Sequence, residues 1–341
     1  MFDYLFITHL PSFYKVNLYN KLAEKLKIFV IFVGADSSIR TSDFSSNKMN
    51  FEYVFLSQTA FEKRYKFITL IKLIKIIIKN NYKKIVVGGW DLVEFWLVVF
   101  LSSKHKNCLA LESSDSDSAV TGIKSLVKKI FLSRIFSVFA SGIKQQSLLN
   151  KLGYKDKIVL TKGVGLMNYQ PRILVDKIFS GNFLYVGRLS AEKNLVLLIE
   201  VFNELTEYKL TLAGVGPMLS ELKQIANKNI NFLGHIPNQE IAKIYSQHDA
   251  LILPSSKEPW GLVVEEALYY GLPAIVSTAV GCSLDLIKDG FNGLIFDYQS
   301  KEDLKNKIIN LVNDYENLKK GAEQFDLPSK DNKQLISYLN L

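Results

Sequence analysis

The chain has 341 residues, of which 48% are hydrophobic and 22% charged, so it is globular and long enough for two domains. Its two cysteines, Cys108 and Cys282, have neither CxxC nor Cys/His spacing. This spacing suggests neither a disulfide framework nor a zinc site, and it suits a reduced cytoplasm. The start, MFDYLFITHL, lacks the features of a secretory signal, and no apolar run approaches the ~18–20 residues of a membrane-spanning helix. We therefore expect a protein on the cytoplasmic side of the membrane.

The net charge of +9 is unevenly distributed along the chain. Residues 1–170 contain 25 Lys and Arg against 12 Asp and Glu, whereas residues 171–341 contain 17 against 21. This asymmetry indicates an anionic partner for the first half, either nucleic acid or a phospholipid surface. The alternative is that a lysine-rich composition simply places lysines on solvated faces.

Short apolar runs alternate with helical patterns from end to end. An amphipathic helix is predicted over 17–26, and strands are predicted at 4–8, 27–34, 83–89 and 107–113. The same alternation restarts in the second half, with strands predicted at 182–187, 208–214, 230–234, 250–254 and 273–277. Strands separated by helices indicate parallel sheets with right-handed crossovers.

The predicted fold class is therefore α/β, with two Rossmann-like doubly wound domains facing each other across a central cleft. The expected domains are 1–170 and 171–325, joined near 168–181. A last helix, about 326–341, is expected to pack back on the first domain. Ligands bind at the carboxyl ends of strands in such sheets, so the cleft is the expected site of chemistry.

Three glycine-containing turns follow predicted strands in the second half. YVGRLSAEKN places Arg188 and Lys193 after a strand, Gly214-x-Gly216 opens a helix, and EPWGLVVEEA opens another. Helix N-termini bind anions, and a guanidinium can bind a phosphate with two hydrogen bonds. Together these turns predict a diphosphate site, although any one of them could be an ordinary βα loop.

Two carboxylates, Glu258 and Glu266, bracket an apolar segment. Glu258 precedes the helix predicted from about Gly261, and Glu266 lies inside it. Carboxylates accept hydrogen bonds from paired hydroxyls, such as those of a ribose or a hexose. Hydroxyls at both ends with phosphates between them describe a nucleotide-sugar. Glu266 alone could equally be a solvated helix residue.

This half resembles the retaining glycosyltransferases of family 4 (glycosyl transferases group 1), which have the GT-B fold. The resemblance covers roughly residues 182–300. It is carried by Glu258-x7-Glu266 within EPWGLVVEEALYYGLPAIVS, together with GRLSAEKN, AGVGP, FLGHIPNQEIAKIYSQHDALILPS and VGCSLDLIKDGFNGLIF.

The resemblance implies a role for each matching position. Arg188 and Lys193 would hold the donor diphosphate without a metal, and Glu258 would contact the transferred sugar; these three are the expected catalytic residues. Glu266 would bind ribose hydroxyls. The other expected donor-binding residues are Gly187, Gly214, His235, Ile236, Pro259, Trp260, Gly261, Leu262 and Val263. Of these, His235 and Ile236 would lie near the nucleobase, although His235 could equally be a surface loop residue.

The first half departs from the better-known family pattern. Its first loop, THLPSFYKVN, has no glycine and resembles a subset reading Pro-x-x-Tyr-basic, often found in bacterial surface-polysaccharide synthesis. The expected acceptor-side residues are Pro11, Tyr14, Lys15, Gly89 and Glu112. Pro11 and Tyr14 could instead serve helix entry. No histidine follows the strand at 107–113, which leaves a side-chain base unidentified and Glu112 as the nearest acid.

The segment 61–84 alternates lysines with apolar residues, and 125–134 is a second cationic stretch. Read as a helix, 61–84 places Lys72, Lys75 and Lys79 on one face. Its opposite face would hold Phe67, Leu70, Ile71, Ile74, Ile77 and Ile78. Such a helix can lie on an anionic bilayer, or can be a core helix with a lysine-covered back.

The resulting hypothesis is a metal-independent, retaining hexosyltransferase with no cofactor. It would move a sugar from a UDP-, GDP- or dTDP-sugar to an oligosaccharide or polyprenyl-diphosphate-linked glycan. The expected setting is bacterial O-antigen, lipopolysaccharide, capsule or other surface-polysaccharide synthesis, at the inner face of the cell membrane through peripheral contact of the basic half. Nucleic acid is not expected as a partner.

Two rival functions stay open at this point. A nucleotide-sugar epimerase of similar fold would need an acid/base set in the first half, which the sequence does not offer. A non-enzymatic nucleic-acid-binding protein would need aromatic residues interleaved with the basic residues, whereas here the aromatics lie mostly within apolar stripes.

Overall fold

A computed structural model describes residues 1–38, 48–115, 118–172 and 178–340 of the chain. The chain divides into two compact units. Unit 1 comprises Met1–Asn168 and Lys330–Leu341, and unit 2 comprises Tyr169–Ser329. Residues 173–177 of the predicted linking stretch, and Leu341 of the predicted last helix, lie outside the described residues.

Unit 1 is built around a parallel sheet of seven strands in the order β3-β2-β1-β4-β5-β6-β7. Its elements are β1 (Phe2–Thr8), α1 (Phe13–Ala23), β2 (Ile28–Asp36), β3 (Glu52–Ala60), α2 (Lys66–Lys79), β4 (Tyr82–Val87), α3 (Val93–Leu101), β5 (Asn107–Leu111), α4 (Gly122–Ser133), β6 (Ser137–Ala140), α5 (Ile143–Lys151) and β7 (Lys157–Leu160).

Unit 2 has a parallel sheet of six strands in the order β10-β9-β8-β11-β12-β13. Its elements are β8 (Asn182–Val186), α6 (Leu195–Glu204), β9 (Lys209–Ala213), α7 (Leu219–Ile225), β10 (Ile230–Gly234), α8 (Ile241–Ser246), β11 (Ala250–Leu253), α9 (Leu262–Tyr269), β12 (Ala274–Ser277), α10 (Ser283–Leu286), β13 (Gly293–Phe296), α11 (Lys301–Asn313) and α12 (Tyr315–Glu323). A final helix, α13 (Leu327–Leu339), starts in unit 2 and runs into unit 1.

In each sheet the strand order reverses at the first strand, so that later strands are added on its other side. In unit 1, β1 is paired with β2 on one side and with β4 on the other. In unit 2, β8 is paired in the same way with β9 and β11. The loops after the two strands at such a switch point leave in opposite directions and open a crevice at the carboxyl edge. The predicted α/β class with two doubly wound sheets is confirmed.

The sheet of unit 1 is covered on both faces, which explains why its strands are almost continuously apolar. Alternate residues of β1 enter different cores: Leu5 and Ile7 pack with α2 to α5, whereas Tyr4 and Phe6 pack with α1 and α13. The hydroxyl of Tyr4 donates to the carbonyl oxygen of Tyr338 on α13, at 2.8 Å. Residues from Lys330 onward thus complete the core of unit 1.

The predicted helix over 61–84 is wrong in its extent and in its faces. The segment is a 3-10 turn (Phe61–Lys63), then α2, then the start of β4. Thr69 and Leu73 are the buried residues of α2, with Ile76 and Ile77 packed against the core. Phe67 and Ile71 are instead exposed, because the helix is apolar on nearly every side and only one side meets the sheet.

Other element predictions differ from the structure mainly at their ends. The first helix begins at Phe13 and ends at Ala23, earlier than predicted. Four strands were not predicted, namely β3, β6, β7 and β13. None of the described helices is long and apolar enough to cross a membrane.

A buried ion pair fixes α2 against α3. Arg64 donates from Nε to Glu94 Oε1 at 3.0 Å and from Nη2 to Oε2 at 3.3 Å. Thr69 on α2 donates its hydroxyl to the same carboxylate at 2.9 Å. Burial alone would raise the pKa of Glu94, but the Arg64 guanidinium outweighs it and holds the pKa below its ordinary value.

We expect Glu94→Gln to lower the free energy of unfolding by about 3 kcal/mol at pH 7, because it leaves the Arg64 charge without its counter-charge. The native pKa is depressed, so this contribution is present above the ordinary pKa of Glu and is lost as the pH falls through the native value. Chemical denaturation at pH 7, with the exposed Glu52→Gln as control, measures it. A loss below about 1 kcal/mol would contradict a stabilising role for the pair.

Candidate active site

The loops that follow β8, β9 and β10 in unit 2 are joined by backbone contacts. The amide of Gly187 donates to the carbonyl of Ala213, and that of Gly214 to the carbonyl of Gly234. Gly214 has φ +149°, and a Cβ there would lie 1.8 Å from the carbonyl oxygen of Gly187. Only glycine fits at this position, which explains the AGVG turn seen in the sequence.

Lys193 and Glu258 form an ion pair across the switch point of unit 2. Lys193 ends a 3-10 turn (Ala191–Lys193) after β8, and Glu258 follows β11. Both side chains are more than four-fifths buried. The two loops are also joined through backbone, since the amide of Ser256 donates to the carbonyl of Glu192 at 2.9 Å. Two of the three expected catalytic residues therefore meet at the edge where α/β sheets bind ligands.

Arg188 lies in the same loop and is exposed. Its backbone carbonyl accepts a hydrogen bond from the hydroxyl of Tyr185 at 2.8 Å. Tyr185 is fully buried in the core, and burial raises the pKa of its hydroxyl well above the ordinary value. A neutral, buried phenol thus fixes the backbone from which the Arg188 guanidinium extends.

The helix α9 begins directly after Gly261, which has φ +104° and a closely packed surround. Trp260 is buried, and its indole nitrogen donates to Glu265 Oε1 at 2.6 Å. The side chain of Trp260 therefore packs in the interior of unit 2, and only its backbone can contact a ligand at the candidate site. Glu265 is the structural carboxylate of the adjacent pair Glu265-Glu266.

Glu266 lies one residue further along α9 and has a different environment. Tyr245, fully buried on α8, donates its hydroxyl to Glu266 Oε2 at 2.7 Å. The residue is partly exposed, but its carboxyl group is enclosed enough for burial to raise its pKa to about 7. The Tyr245 hydrogen bond acts in the opposite direction and favours the carboxylate. Tyr245 was missed in the sequence because nothing there links α8 to α9.

The remaining donor-binding positions lie around these residues in unit 2. His235 and Pro259 are exposed in the loops after β10 and β11, and Ile236 is half-buried. Leu262 and Val263 form the first turn of α9, where backbone amides are not used by the helix itself. The described residues contain no group of three or more His, Cys, Asp or Glu side chains arranged to hold a metal ion.

In unit 1, Lys15 and Glu112 form an ion pair at 2.8 Å. Lys15 lies in the first turn of α1 and also donates to the Thr8 hydroxyl at 3.3 Å. Burial alone would lower the pKa of Lys15, but the Glu112 carboxylate overrides it and keeps the pKa above its ordinary value. A small cavity of unit 1 is lined by both side chains. Two acceptor-side residues, predicted separately, are therefore brought together.

A histidine does reach this edge of unit 1, from a position that the sequence analysis passed over. His9 Nε2 lies 2.8 Å from Asp91 Oδ2. His9 follows β1 and Asp91 follows β4, the two strands at the switch point. The ring packs edge-to-face on Phe95, at 5.1 Å between centroids. This contact could have been predicted from the sequence, because His9 and Asp91 directly follow two strands that are neighbours in a doubly wound sheet.

The other acceptor-side residues, Pro11, Tyr14 and Gly89, contribute packing and backbone contacts at this edge. Pro11 is buried before α1, and Tyr14 is half-buried in its first turn. The carbonyl of Tyr14 accepts from the amide of Leu166 at 2.9 Å. Gly89 lies so close to Asp91 that a Cβ there would be 2.5 Å from its carboxylate.

We expect Glu266→Gln to stabilise unit 2 at pH 8. The carboxyl has an ordinary pKa of 4.5 and a native pKa of about 7, so the native state holds it protonated between these values and carries an enclosed charge above them. Removing that charge should gain on the order of 2 kcal/mol after allowance for partial exposure.

Thermal unfolding at pH 5 and pH 8 measures this effect, with Glu221→Gln on the exposed side of α7 as control. The gain should be larger at pH 8 than at pH 5. An equal melting temperature difference at both values would show that Glu266 has an ordinary pKa.

Residues 180–325 match the family model described as "Glycosyl transferases group 1". The O-antigen biosynthesis glycosyltransferase WbnH of Escherichia coli is 27% identical, over 76% of each chain. An N-acetylgalactosaminyltransferase of Campylobacter jejuni, whose name states a glycan acceptor on diphospho-undecaprenol, is 29% identical over 50% of this chain and 52% of its own. Several other curated relatives are matched over only about a quarter to a half of their own length.

Among solved structures, the Anabaena protein HepE in complex with UDP and glucose superposes with a TM-score of 0.73. The alignment covers 100% of both chains at 14% identity, which is evidence of a shared fold. The resemblance read from the sequence is therefore confirmed in two respects, the group 1 match of residues 180–325 and the fold. Residues 180–325 thus resemble the glycosyl transferases group 1 family, and the chain has the GT-B fold.

Proposed function

We propose that the protein is a retaining hexosyltransferase that moves a sugar from a nucleoside-diphosphate-sugar to a glycan acceptor. The observation that carries the proposal is the Lys193–Glu258 pair at the switch point of unit 2, with Arg188 in the same loop. The match of residues 180–325 to the group 1 family model supports it. So does HepE, a protein of the same fold whose structure holds UDP and glucose.

The leaving diphosphate would be held by Arg188 and Lys193. Without a ligand, the charge of Lys193 is balanced by Glu258. A phosphate oxygen can replace that carboxylate as the partner of Lys193, which frees Glu258 for hydroxyls of the transferred sugar. The exposed guanidinium of Arg188 can bind the same diphosphate through two hydrogen bonds. Two cations at this position would offset the leaving-group charge without a metal ion.

The nucleoside end would be held by Glu266, whose carboxylate accepts hydrogen bonds from ribose hydroxyls. Tyr245 supports this role, because its hydroxyl favours the ionised form of Glu266. Backbone amides of Leu262 and Val263, at the start of α9, would donate to sugar or phosphate oxygens.

Transfer would follow a front-face displacement. The bond from the anomeric carbon to the diphosphate oxygen breaks as the acceptor oxygen bonds to the same face of the sugar. The acceptor's proton passes to the departing phosphate oxygen, so the diphosphate serves as both leaving group and base. Configuration at the anomeric carbon is retained, and no side-chain base is required.

The acceptor side would be formed by unit 1, where Lys15–Glu112 and His9–Asp91 lie at the carboxyl edge of the sheet. The named relatives act in O-antigen biosynthesis and on a diphospho-undecaprenol-linked glycan. We infer an acceptor of that class, a growing glycan on a polyprenyl diphosphate in bacterial surface-polysaccharide synthesis. Such an acceptor places the protein at the inner face of the cell membrane, in peripheral contact with it.

Of the two rivals, a nucleotide-sugar epimerase gains a candidate acid/base pair from His9–Asp91. It is distinguished by turnover of the donor to an isomeric nucleotide-sugar without any acceptor. A nucleic-acid-binding role has no comparable support, because most exposed apolar residues of unit 1 are aliphatic side chains on its helices, which offer no ring for base stacking.

Purified protein screened against UDP-, GDP- and dTDP-sugars is expected to bind one of them. Binding should raise the melting temperature, and that donor should be hydrolysed slowly to the free sugar and the nucleoside diphosphate. Both effects should persist in EDTA, because Arg188 and Lys193 replace a metal ion. If no nucleotide-sugar shifts the melting temperature, the donor site does not exist; if EDTA abolishes hydrolysis, metal independence is wrong.

Arg188→Ala and Lys193→Ala should each lower donor hydrolysis by about a hundredfold or more, since each removes a charge that stabilises the departing diphosphate. Lys209→Ala is the matched control, because Lys209 is an exposed lysine at the opposite, amino edge of the same sheet. Circular dichroism checks folding. A folded Lys193→Ala protein with near-normal turnover would contradict the assignment.

A further inference from the structure

The helix α2 presents apolar side chains to solvent on the side opposite its contact with the sheet. Leu73 is fully buried and faces the core. Phe67 and Ile78 are 75% and 79% exposed, and Ile71, between them, is also exposed. With 3.6 residues per turn, these three side chains lie on the side of the helix away from Leu73. They do not belong to the core of unit 1.

The helix α4 repeats this arrangement. Phe131 and Leu132 are its buried apolar residues. Ile123 is 82% exposed, and Leu126 and Ile130 are exposed as well. Successive members of this set are three or four residues apart, so they form one outward stripe.

These two helices are neighbours of α3 on one face of the sheet. Buried residues of all three belong to a single core cluster, which fixes them to the same side. Trp96 of α3 contacts Phe131 of α4, with ring centroids 5.0 Å apart. The Arg64–Glu94 pair joins α3 to the start of α2 on its other side. Phe100 and Leu101 at the end of α3 are exposed too. The outward apolar residues of α2, α3 and α4 therefore lie on the same side of unit 1, and they are called here the helix surface.

The charges on the helix surface are all of one sign. The helices α2, α3 and α4 are described in full and contain seven lysines and a single carboxylate, Glu94. Glu94 is completely buried against Arg64 and does not face outward. Lys75, Lys79 and Lys129 are exposed beside the apolar side chains. Apolar side chains with adjacent lysines and no outward carboxylate are complementary to a bilayer with anionic headgroups.

We propose that the helix surface docks on an anionic phospholipid bilayer, with the apolar side chains entering the headgroup boundary and the lysines contacting lipid phosphates. This inference deepens the proposed function by naming the partner of unit 1, and it rests on that function for its biological setting. This docking differs from purely electrostatic attraction between a basic unit and the membrane. Binding through inserted apolar side chains would persist at salt concentrations that screen the lysine charges. A protein partner is less well matched, since protein–protein interfaces are depleted in lysine.

The test is co-sedimentation of the full chain with large unilamellar vesicles. The protein should co-sediment with vesicles of phosphatidylcholine and phosphatidylglycerol. A smaller fraction should sediment with pure phosphatidylcholine vesicles. Raised sodium chloride should weaken sedimentation without abolishing it. Complete release by salt would overturn apolar insertion, and equal sedimentation with both vesicle types would overturn the role of the lysines.

Two sets of variants separate the two contributions. The triple variant Phe67→Ser, Ile78→Ser, Ile123→Ser should weaken binding about tenfold or more, because each exposed apolar side chain loses its burial in lipid. Lys75→Gln, Lys79→Gln and Lys129→Gln should each weaken binding about fivefold on the anionic vesicles. The matched controls lie in unit 2 and should bind as the wild type does: Ile178→Ser, Leu284→Ser and Ile309→Ser for the apolar set, and Lys228→Gln, Lys243→Gln and Lys320→Gln for the basic set.

Circular dichroism and the donor-induced shift in melting temperature check that the variants are folded. Wild-type binding by the folded apolar triple variant overturns the proposal. A wild-type protein that does not sediment but is dimeric in solution, with a monomeric triple variant, would show that a second copy covers the surface. Vesicle binding without any donor shift would reject the proposed transfer reaction and leave this inference standing. A donor shift without vesicle binding would reject this inference, together with the peripheral membrane contact, and leave the transfer reaction standing.

Discussion

Parallel pairing of the strands is the constraint on which the sites of both units depend. Every strand in a parallel sheet delivers the chain to the same edge, so the residues that follow the strands gather there whatever their separation in sequence. Where the order reverses, between β1 and β4 and between β8 and β11, the loops diverge and leave room for side chains to meet. Lys193 and Glu258, 65 positions apart, meet at one reversal, and His9 and Asp91, 82 positions apart, meet at the other.

Three ion pairs in the structure differ in how far their charges are buried. The Arg64–Glu94 pair is almost entirely enclosed and is completed by the Thr69 hydroxyl, so no ligand can reach it. Lys193–Glu258 and Lys15–Glu112 each keep a fraction of exposed side chain and lie at a carboxyl edge. The free-energy cost of desolvating an enclosed pair is offset only while the two charges stay together. A partly exposed pair loses less free energy when one partner is exchanged for a ligand.

Much of the fold was predictable because its signals are local. The strands near 182–186, 209–213 and 230–234 are short apolar runs bounded by turns, and they were predicted to within a residue or two. The strand β3 was missed because its sequence, EYVFLSQTA, is polar toward its end and largely exposed. The buried face of α2 could not be predicted. The helix is apolar on nearly every side, so its hydrophobic pattern does not indicate which side packs on the sheet.

The candidate site was predictable in its members but not in its pairings. Glu258 and Lys193 were each recognisable from their motifs, but their contact follows from strand order, which periodicity does not reveal. Likewise, only the resemblance to a family distinguished Glu266 from Glu265 in the sequence, and it gave no physical reason for the difference. The difference between them comes from Trp260 and Tyr245, which select one carboxylate for the interior and the other for the site.

The environment of Glu266 links ligand binding to proton release. Near neutral pH this carboxyl group is divided between its protonated and ionised forms, because burial raises its pKa to about 7. Ribose hydroxyls, as proposed for this site, would bind the ionised form and draw the group toward it. A fraction of a proton would then leave the protein with each donor bound. The heat of binding would consequently depend on the ionisation enthalpy of the buffer, so that calorimetry in two buffers would count the proton directly.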